Sequence, residues 1–160
     1  MPMPPDFEAE SMYTRDAWFL HDVETIDVEG GRVVATLDTT KLDAQVATQV
    51  PWPGHEDHVP GAVMVQITAT LGSLHATYVL GLRATEGWYG FGTHIKSAKF
   101  PSIARIGPPV TCTAHAVRVR SVRGTTFVEY DFLYEQEGRA VYQSRQMAAW
   151  MRTDHRGPHP

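Results

Sequence analysis

The residues most able to do chemistry fall within one short stretch, His55-Glu56-Asp57-His58, followed by Pro60-Gly61-Ala62 and then Gln66. Imidazole exchanges protons near neutral pH, so His55 and His58 are candidate general bases. The neighbouring carboxylates could activate water or act as nucleophiles. Two histidines and two acids also suggest a metal, but no third ligand follows at metal-binding spacing, so a solvated polar loop is the simpler reading and no metal is expected. Gln66 exchanges no proton; its amide can only hydrogen-bond a carbonyl, a hydroxyl or a water.

These residues need an element to hold them. Residues 62–80, AVMVQITATLGSLHATYVL, contain no proline, and Val63, Ile67, Leu71, Leu74 and Tyr78 recur at helical spacing with Met64 and His75 beside them. A helix this apolar all round must be wrapped by other structure. Its start would leave the backbone N–H groups of Gly61 and Ala62 unpaired, with the positive end of the helix dipole behind them. Such donors polarise a carbonyl and stabilise an enolate or a tetrahedral oxyanion.

The rest of the chain reads as β. Residues 17–28 alternate and are rich in β-branched types, Gly30-Gly31 supplies a tight turn, and residues 32–38 return. Four more strands are expected near 89–100, 109–122, 125–136 and 139–151, with Arg123-Gly124 and Glu137-Gly138 as short turns. Between Ala116 and Val117 the apolar phase changes sides, which predicts a bulge. Thr126, Val128, Tyr130, Phe132 and Tyr134 should face inward, and Glu129, Asp131 and Glu135 outward. The order of two strands, one long buried helix and four strands gives an α+β domain with an antiparallel sheet curled around the helix. That domain is expected over residues 13–151, between flexible tails at 1–12 and 152–160.

Composition narrows the functions. The 160 residues carry a formal net charge of -4, which gives no basic field for nucleic acid. The one cysteine, Cys112, excludes an internal disulfide and reads as a small strand hydrophobe. The opening MPMPPDFEAES lacks the features of a secretory signal, and no apolar run reaches the roughly 20 residues a membrane helix requires. A cytoplasmic protein with no membrane contact is expected. His75 reads as a satisfied core histidine, and His94 and His115 as strand residues without chemistry. Trp88 and Tyr89 read as core, whereas Phe91 is kept as a candidate substrate-binding residue.

Three segments together resemble a known family: FLHDVETIDVEGGRVVATLD, PGHEDHVPGAVMVQITATLG and IKSAKFPSIARIGPPVTC. They are similar to the first hairpin, the Gly-His segment with the central helix, and the lead into the strand meander of the bacterial β-hydroxyacyl-acyl-carrier-protein dehydratases. The resemblance implies a hotdog fold, and covers residues 17–150. It further implies an acyl thioester carried on acyl carrier protein or coenzyme A, with no cofactor of the protein's own. It implies a homodimer or larger oligomer whose sites lie between subunits, or a heterodimer with a related chain. The family's catalytic His stands eight residues before the Pro of Pro-Gly, whereas His55 stands five before Pro60; the position of the family's acid is Gln66. Dehydration of a β-hydroxyacyl thioester, with His55 as base and the acid supplied from elsewhere, is the leading expectation. Thioester hydrolysis and a non-catalytic partner subunit are the alternatives.

Overall fold

The computed structural model describes residues 1–50 and 52–153. The central helix forms as the periodicity predicts: α3 spans Gly61–Tyr78, after the short helices α1 (Phe7–Glu10) and α2 (Asp43–Val46). Val63, Met64, Ile67, Leu71 and Leu74 are buried on α3. Ala62 is exposed, and Val65, Gln66 and Ala69 are half-buried, so one stripe of the helix is left uncovered by the chain's own sheet.

Six strands wrap the helix: β1 (Asp22–Asp27), β2 (Arg32–Leu37), β3 (Trp88–Lys99), β4 (Val110–Val122), β5 (Thr125–Gln136) and β6 (Arg139–Arg152). They form one antiparallel sheet in the order β1-β2-β4-β5-β6-β3. The expected bulge is present, because the β4–β5 register slips between Ala116 and Arg118. Tyr130 and Tyr134 face inward and are almost fully buried, whereas Asp131 faces outward and takes both ends of the Arg145 guanidinium at 2.6 and 2.7 Å. Arg123-Gly124 and Glu137-Gly138 turn with positive φ at both residues, which matches the right-handed twist of the strands they join. At the first hairpin only Gly31 has positive φ; Gly30 instead donates its N–H to Asp27 Oδ1 at 2.9 Å.

The start of the chain departs from expectation. The strand expected from residue 17 begins only at Asp22, because Phe19 turns to φ 57° and Trp18 swings inward against Phe7, ring centroids 4.9 Å apart. Where the sequence suggests a flexible tail over residues 1–12, the structure docks Phe7 in the core. The Glu10 carboxylate meets Arg83 Nη1 at 3.0 Å and Thr85 Oγ1 at 2.7 Å. Val23 donates to the Met1 carbonyl at 2.8 Å and Pro2 bridges Asp22, so this segment covers the β1 edge. At the other end β6 continues through Arg152, and residues 154–160 of the expected tail lie outside the described residues. No helix among the described residues is long and apolar enough to cross a membrane.

Candidate functional site

The loop before α3 is pinned from two sides. Gln49 donates its amide to the His58 carbonyl at 2.6 Å and accepts from the His58 N–H at 3.3 Å. Val59 N–H donates to the Ala104 carbonyl at 2.9 Å. His58 is thereby placed on an open cleft shared with Gly61, Met64, Phe100 and Ile103. Its Nδ1 lies 3.2 Å from the Glu56 carbonyl oxygen. A carbonyl only accepts, so Nδ1 carries the proton and Nε2 keeps a free lone pair. The N–H groups of Gly61 and Ala62 find no acceptor among the described residues, as expected of a helix start. Phe100 covers Gly61 so closely that a Cβ there would stand 3.2 Å from its ring.

The other predicted residues are distributed around this point. His55 is exposed on the outer side of the loop, where its N–H donates to the Trp52 carbonyl at 2.9 Å; it shares an outer groove with His58 but does not border the cleft at Gly61. Glu56 and Asp57 line that outer groove as well. No group of three or more metal-ligating side chains occurs among the described residues. Gln66 lies on the uncovered stripe of α3, and its amide nitrogen is buried without a partner among the described residues. Thr68 stands seven positions after Gly61, about 10 Å along a helix.

At that distance a second, narrower cavity of about 160 Å³ opens between α3, β3, β5 and β6. Phe91, Met12 and Tyr13 are its exposed or half-exposed lining residues. Gln146 crosses it, donating to Tyr142 Oη and Ser144 Oγ, each at 3.1 Å, with its Oε1 3.2 Å from Thr68 Oγ1. Behind its inner wall, His75 is fully buried and lies 2.9 Å from the Tyr130 hydroxyl through Nδ1. Burial pushes the His75 pKa down to about 4, with a lesser contribution from His115, and keeps the ring neutral. No aspartate or glutamate lines this cavity or the cleft at Gly61 among the described residues.

Of the residues at these two sites, Gln49, Tyr13, Thr68, Tyr130 and Gln146 were not expected there. Gly90 and Gly92 on either side of Phe91 were a usable signal, since glycines inside a strand mark close approach or open space. No local signal ties Gln49 to His58, nine residues on.

No family model matches the sequence, and no curated protein matches it. Solved structures do match. A dehydratase heterocomplex, ApeI:P from Xenorhabdus doucetiae, aligns over 92% of this chain and 91% of that one, with TM-score 0.62 at 12% identity. A hypothetical thioesterase with coenzyme A from Streptococcus pneumoniae aligns over 92% and 95%, with TM-score 0.60 at 16% identity. A thioesterase from Haemophilus influenzae aligns over 89% and 85%, with TM-score 0.58 at 21% identity. This chain has the hotdog fold. In this hotdog domain α3 is the buried helix, and the candidate site runs from its start along its uncovered stripe to the β3 edge.

Proposed function

We propose that this protein hydrolyses acyl thioesters of coenzyme A or of acyl carrier protein. The observation that carries this reading is the cleft that His58 shares with Gly61 at the start of α3: an Nε2 whose tautomer is set by the Glu56 carbonyl, in one cleft with the unspent Gly61 N–H, which the Ala62 N–H follows along the helix. In the reaction His58 Nε2 takes a proton from water as the water oxygen attacks the thioester carbon. The carbonyl oxygen becomes an oxyanion held by the Gly61 and Ala62 N–H groups. The C–S bond then breaks, the sulfur takes the proton back from the imidazolium, and a carboxylic acid and a free thiol leave. The thioesterases among the fold's neighbours support this reading.

A second copy of the chain belongs to this proposal. The β1 edge is covered, whereas the outer edge of the twelve-residue β3 pairs with no strand among the described residues and presents Phe91 and Ile95 half-exposed. Pairing there would set the uncovered stripe of α3, Gln66 included, against a second subunit. The helix start of one subunit would then serve the narrow cavity of the other.

Dehydration is the second reading, favoured by the fold likeness to a dehydratase heterocomplex. It needs an acid for the departing hydroxyl as well as a base. Since no Asp or Glu among the described residues lines either cavity, this reading takes that acid from a related partner chain. Product analysis separates the two. Purified protein is incubated with butyryl and 3-hydroxybutyryl thioesters on both carriers, followed by mass spectrometry and thiol titration. Free thiol and acid are expected; loss of water with the thioester intact would overturn hydrolysis.

A further inference from the structure

The narrow cavity has a polar inner wall that the chain itself leaves unsatisfied. Its mouth is formed by exposed or half-exposed side chains, Met12, Tyr13 and Phe91, and its depth by Ser73, Tyr130 and Trp150, which are 7%, 1% and 8% exposed. The Ser73 hydroxyl makes no hydrogen bond among the described residues, and the buried indole nitrogen of Trp150 makes none of good geometry, its polar neighbour being the Tyr130 hydroxyl. Tyr130 adds a third donor. Its hydroxyl meets His75 Nδ1 at 2.9 Å, while His75 Nε2 is buried and unpartnered among the described residues. Either tautomer leaves one donor of this pair unspent: Nε2–H if the phenol donates to Nδ1, or the phenolic O–H on the cavity wall if the imidazole donates. A ligand acceptor in the cavity favours the second arrangement, because it gives the phenolic proton a partner. Thr68 does not compete, because its hydroxyl donates to the Val65 carbonyl at 2.7 Å.

Size sets the second limit. The cavity holds about 160 Å³, and a cavity of about 150 Å³ accommodates a benzene-sized group. Gly72 keeps that space open, since a Cβ there would meet nothing within 4 Å. We infer that this cavity selects an acyl group of about six or seven heavy atoms with a hydrogen-bond acceptor, a keto or ether oxygen, at the end remote from the thioester. The inference rests on the thioester reading of the site: the thioester carbonyl lies at the mouth, and the acyl tail enters toward Ser73 and Tyr130.

The test uses coenzyme A thioethers, which have no bond to hydrolyse, and isothermal titration of the intact protein. S-(5-oxohexyl)-coenzyme A should bind about 10-fold more tightly than S-hexyl-coenzyme A. S-dodecyl-coenzyme A should bind at least 10-fold more weakly than S-hexyl-coenzyme A. Ser73→Ala and Tyr130→Phe should each shrink the keto preference to about threefold or less while leaving S-hexyl affinity unchanged, and Gly72→Met should abolish binding of both six-carbon ligands. Should Tyr130→Phe fail to fold, the Ser73 and Gly72 variants carry the test alone. Equal affinity for the two six-carbon thioethers, a preference that survives Ser73→Ala undiminished, or tight dodecyl binding each overturns the inference. Absence of binding by every thioether overturns the thioester reading itself.

Discussion

Acid should find its way to His75 only at the expense of the fold. Its pKa of about 4 lies below the ordinary 6.5, so the unfolded chain binds more protons between those values. The stabilisation is complete above about pH 6.5 and is lost progressively as pH falls toward 4, on the order of 3 kcal/mol in all. Urea midpoints measured at pH 7.5 and 4.5 should therefore converge more in His75→Gln than in the parent, with the carboxylates common to both cancelling. Equal pH sensitivity in the two proteins would contradict the assignment. Cys112 gives a second check at this scale. The thiol is fully buried, and burial pushes its pKa well up, so native protein should resist iodoacetamide and urea-unfolded protein should label. The chemistry of the loop was legible as residue types, but not as roles. His55 and His58 are alike in sequence, and only the Gln49 clamp and the contact to Glu56 single out His58.

Two glycines of the candidate site make opposite predictions for the elements that carry them. Gly90 on β3 lies under Trp150 of β6, and an added Cβ would stand 2.2 Å from the indole ring. Gly90→Ala should cost about 1–3 kcal/mol through overpacking. Gly72 on α3 faces open space, so Gly72→Ala should leave stability unchanged or raise it by up to about 1 kcal/mol. Thermal melts of both variants check the pair, and a tolerated Gly90→Ala would mean the β3–β6 packing is looser than described. At this scale periodicity served well where one face is buried. The long helix, the meander and the bulge after Ala116 all followed from apolar spacing. It failed around Phe19, where the docking of Trp18 on Phe7, a contact across eleven positions, overrides an alternating pattern. The same contact is why residues 1–12 carry no local sign of their place in the core.

For the molecule as a whole, the bare β3 edge is the feature that most needs a partner. Sedimentation equilibrium should give a dimer, and Ile95→Lys, which sets a charge on that edge, should shift it toward monomer. A monomeric parent protein would remove the cross-subunit part of the proposal. The hotdog architecture was legible from element order, whereas the cavities were not, because each is assembled from segments far apart in the chain. The central claim concerns His58 at the start of α3. Thiol release from saturating butyryl-coenzyme A, compared among the parent, His58→Ala and His55→Ala, tests it most directly. Expected is a fall in kcat of about 100-fold or more for His58→Ala with KM little changed, and near-parental turnover for His55→Ala. Full turnover in His58→Ala, or its loss in His55→Ala instead, would contradict the assignment of the base.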